Sequence, residues 1–246
     1  MIGVESCDRC GFERGEWNEQ DANRTLAHAE ELLVGWCDGA TGRLDEKLEA
    51  RRIDDLKAIT AAEDLFDKVH HLMHGLVSLA DVRRAAGDAV PHQRGSVAAL
   101  NTSSGGVPKT RIDDADVERR GIVGDVQSTR LHHGRPWQAL CLWSAEVIDD
   151  FAAAGHPLEP GRAGENVTIA GVDWSTLRGG TIIDIGDVRC QLSAPATPCK
   201  KNAPWFLDGD FMVMDHDRHP GTSRWYASVL RPGTITTGAP VTVSPF

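Results

Sequence analysis

The chain has 246 residues, 41% of them hydrophobic and 25% charged, which is typical of a globular protein with one large or two modest domains. A formal net charge of −10 without a basic stripe argues against a nucleic-acid partner, so we expect a small-molecule ligand. No apolar run reaches the roughly 18 residues of a membrane span and no signal segment is visible, so we expect no membrane partner and a cytoplasmic protein.

The first 90 residues are rich in helix formers with apolar residues at helical spacing, and we assign them to a short helical domain. We expect a helix over 18–39 that stops at Gly39, and another over 61–87 that stops at Gly87. A charged helix lies between them over 41–60, and its apolar face is predicted to consist of Leu44, Leu48, Ile53 and Leu56.

From residue 94 the chain consists of short β-branched runs bounded by turn-forming residues, which is typical of strands. The predicted strands lie within residues 95–103, 165–174, 180–195, 225–230 and 239–246. One helix interrupts them, with Ser144 as the expected N-cap and Gly155 after its end. We predict an α+β protein, in which a mostly β, barrel-like domain (94–246) follows the helical domain (1–90).

Six cysteines without a secretion signal are expected to be thiols rather than a disulfide framework. One of them, Cys199, lies in the stretch SAPATPCKKNAPW, directly before Lys200 and Lys201. Two adjacent cations favour the thiolate, which is the reactive form of cysteine. Free cysteines are also often buried for packing, and the local sequence leaves that alternative open.

Polar side chains in the second half lie at glycine-rich turns, where functional groups are often displayed. The candidates are Lys109, His133, Arg135, Glu165, Asn166 and Arg224, while Asp125 is expected to form a turn. Cations and amide donors around one cysteine suit an anionic ligand with phosphate or oxo groups. Glu165 and Asn166 would also serve simply to build a turn, and His133 to satisfy a loop backbone.

Taken in order, these motifs resemble the MOSC domain, which is named after the C-terminus of molybdenum cofactor sulfurase. The resemblance runs through VAALNTSSGGVPK, GENVTIAGVDW, SAPATPCK and HPGTSRWYASVL, within residues 94–246. It implies that Cys199 is the reactive residue, carrying persulfide sulfur or binding the metal of a molybdenum cofactor. The implied cofactor-binding residues are Lys109, His133, Arg135, Glu165, Asn166, Lys200 and Arg224.

The resemblance leaves the activity open. Some members of the family are similar to proteins that reduce N-hydroxylated purines, so the resemblance is compatible with an oxidoreductase, a sulfurtransferase or a non-catalytic cofactor-binding module. Pyridoxal phosphate binding is also associated with the family. The family usually has His-Gly-Gly where this chain has His133, Gly134 and Arg135, and this bulky cation affects ligand identity.

The helical domain carries a histidine pair, His70 and His74, at the i and i+4 positions that can hold one metal ion. With His28 as a third ligand and the segment CDRCGF, the domain resembles a shortened member of the DinB/YfiT-like helical family. That resemblance implies a divalent metal such as zinc or nickel at His28, His70 and His74, and an alternative function as a thiol-dependent transferase. Cys7 and Cys10 would form a redox pair or part of a metal site, or would lie in a disordered CxxC segment. An exposed apolar face on a shortened bundle would favour a homodimer.

Overall fold

The structure is a computed structural model that describes residues 3–37, 39–127 and 135–244. Its contacts divide the chain into two compact units. The first contains the described residues up to Ala89 together with Arg178–Gly180, and the second contains those of Val90–Leu177 and those from Thr181 onward. No helix in the described ranges is long and apolar enough to cross a bilayer.

The described part of the first unit contains a short hairpin and four helices. They are β1 (Ser6–Cys7), β2 (Phe12–Glu13), α1 (Glu19–Leu26), α2 (Ala29–Gly35), α3 (Arg43–Ala61) and α4 (Leu65–Ala85). Side chains cap two of the helices: Asn18 accepts the backbone N–H of Asp21 in α1, and Asp64 accepts N–H groups at the start of α4. α4 ends just before Gly87, whose φ of 75° supports the predicted stop.

The helix predicted over 18–39 is two helices rather than one. The chain leaves helical geometry at His28, whose φ of −114° and ψ of 13° interrupt the backbone ladder between α1 and α2. The backbone N–H of His28 bonds the Thr25 carbonyl, a tighter turn than the α-helical pattern. His28 therefore precedes a helix instead of lying in the middle of one.

The buried face of α3 also differs from the predicted one. Ile53 is 41% exposed, whereas Leu48, Asp55 and Ile59 are buried. The carboxylate of Asp55 is held by Arg51 one turn earlier, so a paired polar residue occupies the position that apolar periodicity assigns to the solvent side. Leu48 is buried and Leu44 and Leu56 are half-buried, as predicted, so the spacing of apolar residues placed only Ile53 wrongly.

The second unit contains the remaining strands and one helix. They are β3 (Gln93–Thr102), β4 (Thr110–Ile112), β5 (Asp114–Glu118), β6 (Gly121–Ile122), β7 (Leu140–Ser144), α5 (Ala145–Ala153), β8 (Val167–Ala170), β9 (Ile182–Ile185), β10 (Val188–Pro195), β11 (Trp225–Arg231), β12 (Gly233–Thr236) and β13 (Pro240–Ser244). Ser144 accepts the Val147 N–H and caps α5, as predicted, and Gly155 follows the helix with a φ of 95°.

Seven of these strands close into a barrel in the order β13-β9-β10-β11-β7-β8-β3, because β13 also pairs with β3. Only the β7–β8 pair is parallel among these neighbours. β4 extends the sheet beyond β3, and β12, β5 and β6 form a separate three-stranded sheet. The predicted α+β class with a barrel is confirmed. The strand β7, which carries Cys141, was not predicted.

Candidate functional site

A pocket with a cavity volume of about 100 Å³ lies in the second unit. Four of the predicted site residues line it, and they come from well-separated parts of the chain. These are Lys109, Asn166, Cys199 and Arg224. Lys201 lines the pocket too, whereas the predicted Lys200 is exposed and does not. The predicted His133 lies outside the described residues.

A buried ion pair supports one wall of this pocket. The Lys109 ammonium lies 2.5 Å from the Asp125 carboxylate, and the two side chains are 8% and 7% exposed. Asp125 also accepts the side-chain amide of Asn166 at 3.0 Å and the backbone N–H of Ser103 at 2.8 Å. Asp125 therefore does more than form a turn, since it fixes two of the predicted site residues.

Arg224 and Asn202 both donate a hydrogen bond to the same backbone carbonyl, that of Ala163. The Arg224 guanidinium donates to the Ala163 oxygen at 2.5 Å, and the Asn202 amide donates to it at 3.0 Å. Arg224 is 7% exposed and its Nε is buried without a hydrogen-bond partner among the described residues. A buried guanidinium with an unused donor is suited to receiving a ligand acceptor.

Glycine is needed next to these residues. Gly164 lines the pocket with a φ of 96°, and a Cβ there would approach Val107 Cγ1 to 2.6 Å. Gly161 has a φ of 86°, and a Cβ there would lie 2.8 Å from the Lys109 carbonyl oxygen. Both positions favour glycine because of backbone conformation and close approach.

Two thiols contribute to the pocket, and they differ in environment. Cys199 is half-buried and precedes a short 3₁₀ helix over Lys200–Trp205. Cys141 is buried in β7, and burial raises its pKa to about 11, so it is a neutral thiol near pH 7. Cys199 is consequently the more accessible sulfur of the two.

Glu165 and Arg135 are not among the residues that line the pocket. Glu165 is fully buried, and its carboxylate accepts the Gly161 N–H at 2.5 Å and the Thr168 hydroxyl at 3.2 Å. Burial, the largest cause, raises the pKa of Glu165 against the opposing effect of the Gly161 hydrogen bond. Arg135 is also buried, with its guanidinium 5.3 Å from the Trp137 ring centroid. Glu165 thus hydrogen-bonds the turn that leads into β8 through one carboxylate oxygen, while its Oε2 is buried without a hydrogen-bond partner among the described residues.

The described wall of the pocket carries positive charge. Lys109, Lys201 and Arg224 line it, and no Asp or Glu is among its described lining residues, although Asp125 pairs with Lys109 from behind. Gln138 also lines it, and its buried Oε1 has no hydrogen-bond partner among the described residues. Two residues of this wall, Arg224 and Gln138, thus carry a buried donor and a buried acceptor that no described protein group satisfies.

The three histidines predicted to bind metal are not assembled into one cluster. His28 Nδ1 lies 2.7 Å from a carboxylate oxygen of Glu31, and His74 Nε2 lies 3.0 Å from Arg9 Nη1. The rings of His70 and His74 are neighbours, with centroids 5.8 Å apart. Among the described residues, the group of three ligand atoms within 4.8 Å of one another consists instead of Cys7, Cys10 and His70.

Sequence reasoning missed three polar residues of this site. Asp125 was assigned a turn alone, and Gln138 and Asn202 were not singled out. The contacts of Asp125 and Asn202 join positions 41 and 39 residues apart in the chain, and no local pattern reports such distances. The glycine-rich setting of Asp125 was the one available signal.

Comparison with known proteins agrees with this architecture. A family model described as MOSC domain matches residues 129–242. The chain is 30% identical over 124 residues to the uncharacterized protein YflK of Bacillus subtilis, covering 49% of this chain and 54% of YflK. It is 29% identical over 140 residues to the protein YiiM of Escherichia coli, covering 55% of this chain and 62% of YiiM. The chain thus spans about half to three fifths of these curated relatives.

A crystal structure shows the same fold. The YuaD protein from Bacillus subtilis superposes with a TM-score of 0.53 at 20% identity, covering 63% of this chain and 98% of YuaD. At that identity the likeness concerns the fold alone. The family match begins at residue 129, later than the resemblance over 94–246 suggested, and its N-terminal boundary falls after β6. The family match and the two relatives support a MOSC domain at residues 129–242.

Proposed function

We propose that the pocket around Cys199 binds an anionic ligand of the molybdenum cofactor type, with the Cys199 sulfur directed to the ligand. The observation that carries this proposal is the composition of the wall, in which the half-buried Cys199 lines the same pocket as Lys201, Arg224 and the Asp125-paired Lys109. The unused Nε of Arg224 and Oε1 of Gln138 add a donor and an acceptor.

The residues present fit the chemistry of such a ligand. Thiolate sulfur is a soft ligand of the kind that suits soft metal centres, and Arg and Lys are the usual partners of phosphate and oxo groups. A cavity of about 100 Å³ is smaller than the roughly 300–1,000 Å³ of sites that enclose a whole ligand. The pocket therefore suits one anionic end of the ligand rather than the entire molecule.

Each residue has a distinct role in this proposal. Arg224 offers its Nε to an anionic oxygen while its Nη1 stays on the Ala163 carbonyl. Lys109 is neutralised by Asp125, so it positions Asn166 and the wall more than it supplies free charge. When bound, the cofactor would supply redox-active molybdenum, and the contribution of Cys199 would be to orient it.

The direct test titrates purified molybdenum cofactor into the full chain and three variants. Because a hydrogen bond to a charged group contributes about 1.5–3 kcal/mol, Arg224→Gln should weaken binding by roughly tenfold to 100-fold. Cys199→Ser should also weaken it. The control is Arg231→Gln, which removes an exposed guanidinium at the far end of β11 and should bind as the original chain does. Equal affinity in all four proteins refutes the proposal.

Sulfur carriage by Cys199 is the second function that the accessible thiol favours. A persulfide there would release thiocyanate on treatment with cyanide, and Cys199→Ser would abolish the release while Cys37→Ser would not. Assaying reduction of an N-hydroxylated purine separates an enzyme from a cofactor-binding module. An absorbance spectrum of the purified chain tests pyridoxal phosphate. The transferase function that needs His28, His70 and His74 is supported by no grouping of those three residues.

A further inference from the structure

The first unit brings two cysteines and one histidine together far from the pocket in sequence. One ligand atom from each of Cys7, Cys10 and His70 lies within 4.8 Å of the other two. Cys10 is 4% exposed, and Cys7 is half-buried. Both cysteines are free thiols.

The CxxC segment presents both sulfurs from one turn. β1 and β2 pair antiparallel with Cys7 opposite Phe12, and the Gly11 N–H bonds the Cys7 carbonyl at 2.9 Å. Gly11 has a φ of 69°, a conformation that glycine adopts without strain and that reverses the chain after Cys10. The CDRCGF sequence thus forms a compact hairpin with both thiols near its tip.

The third residue comes from α4, which packs against this hairpin. The His70 ring lies 5.4 Å from the Phe12 ring between centroids, and Val69 belongs to the same buried cluster as Cys10. The Nδ1 atom of His70 is buried and has no hydrogen-bond partner among the described residues. A buried ring nitrogen without a partner is costly unless something binds it.

The geometry points to a Zn²⁺ site formed by Cys7, Cys10 and His70, and we propose that this ion joins the N-terminal hairpin to α4. A tetrahedral zinc with Zn–S bonds of about 2.3 Å and a Zn–N bond of about 2.1 Å holds its ligand atoms roughly 3.5–3.8 Å apart. Because the three ligand atoms lie within 4.8 Å of one another, they need to move by only about 1 Å to bind one zinc ion. Two thiolates and one imidazole favour zinc over magnesium or calcium.

The site differs from the three-histidine site that the sequence suggested. His74, one turn after His70, is held by Arg9, whose guanidinium also pairs with Asp81. His74 is not part of the three-residue group. Three protein ligands leave the fourth coordination position of the zinc ion to a solvent molecule or a small ligand, as in zinc sites that are not closed.

The test uses the full chain, reduced and freed of metal with a chelator, then titrated with Zn²⁺ alone in competition with a chromophoric chelator. One equivalent of zinc should bind, and Cys10→Ser and His70→Ala should each lower the affinity by more than the roughly 10–100-fold expected when only a hydrogen-bond partner of a ligand is lost. His74→Ala and Cys37→Ser are the matched controls, one on the same helix face and one a free thiol of the same unit. Both should retain the affinity of the original chain.

A spectroscopic measurement separates ligand loss from misfolding. Co²⁺ in place of Zn²⁺ should give a thiolate-to-cobalt charge-transfer band and intense tetrahedral d–d bands, and Cys7→Ser should weaken the charge-transfer band while far-ultraviolet circular dichroism remains unchanged. Failure of the reduced chain to bind zinc overturns the proposal, as does cobalt without a thiolate band. Equal loss of affinity in His74→Ala overturns the three-ligand assignment. A chain that forms a Cys7–Cys10 disulfide and takes up no metal after reduction also overturns the zinc proposal.

Discussion

Replacing Asp125 with alanine tests how the pocket wall is held together. In the folded chain Asp125 accepts three donors, which are the Lys109 ammonium, the Asn166 amide and the Ser103 N–H. Both charged side chains are more than nine-tenths buried. The substitution leaves Lys109 without its counter-charge in a place that water reaches poorly, and it leaves two further donors without their acceptor.

The expected cost follows from that burial. Removing one partner of a buried ion pair typically costs about 3–5 kcal/mol of unfolding free energy. For a unit of about 150 residues, a loss of 1 kcal/mol lowers the midpoint temperature of thermal unfolding by about 2–4 °C. We therefore expect Asp125→Ala to lower that temperature by roughly 6–20 °C. The measurement is thermal and urea unfolding of the full chain, followed by a signal from the second unit.

A double variant distinguishes an unpaired charge from a simple packing defect. Removing both charges, as in Asp125→Ala with Lys109→Met, should recover much of the loss because no buried charge then remains unpaired. A loss below about 1 kcal/mol in the single variant would refute the reasoning, since it would mean that Lys109 reaches solvent easily. Additive losses in the double variant would refute the coupling of the two residues.

Three further outcomes follow from the same structure. Gly164→Ala should destabilise the chain by about 1–3 kcal/mol in urea unfolding, because Gly164 has a positive φ and an added Cβ would lie 2.6 Å from Val107. The control Gly238→Ala should cost less, because an added Cβ there has no atom within 4 Å. Equal costs for the two variants would contradict the steric argument. Burial raises the pKa of Cys190 to about 12, so iodoacetamide should modify Cys190 only after unfolding. Cys199 should react in the folded chain, and mass spectrometry of the alkylated peptides measures both reactions. Because the pKa of Glu165 is raised above its ordinary 4.5, the unfolded chain releases this proton first, and stability should fall as the pH rises above 4.5. Glu165→Gln should lack that loss, and a Gln variant clearly less stable than the original chain at pH 8 would contradict the assignment.

Local features of the sequence predicted much of the fold. The cap at Ser144 and the stop at Gly87 depend on neighbouring residues, and both appear in the structure. β-branched runs between turn formers predicted the main barrel strands. The strand β7 was missed because its sequence LCLWS is apolar without alternation, since all five of its residues are buried.

Features that depend on which side chains are buried in the folded chain were predicted less well. The burial of Asp55 in place of Ile53 follows from its pairing with Arg51 and from the packing of α3 on its neighbours, which apolar spacing does not report. The placement of Glu165 inside the unit follows from hydrogen bonds to Gly161 and Thr168. A carboxylate at a glycine turn looks the same in sequence whether it faces a ligand or braces the backbone.

The residues of the pocket were also predicted only in part. The motif order was sufficient to associate Lys109, Asn166, Cys199 and Arg224, and all four line one cavity. The motif order did not reveal that Asp125 neutralises Lys109. The effective positive charge of the wall therefore comes more from Arg224 than a count of cations in the sequence suggests.

Ligand protection of Cys199 tests the central claim most directly. The rate of Cys199 alkylation by iodoacetamide is measured by mass spectrometry in the presence and absence of saturating molybdenum cofactor, with Cys37 as the internal reference. The account predicts that the cofactor slows alkylation of Cys199 strongly and leaves that of Cys37 unchanged. An unchanged rate at Cys199 while the cofactor is bound would contradict the account.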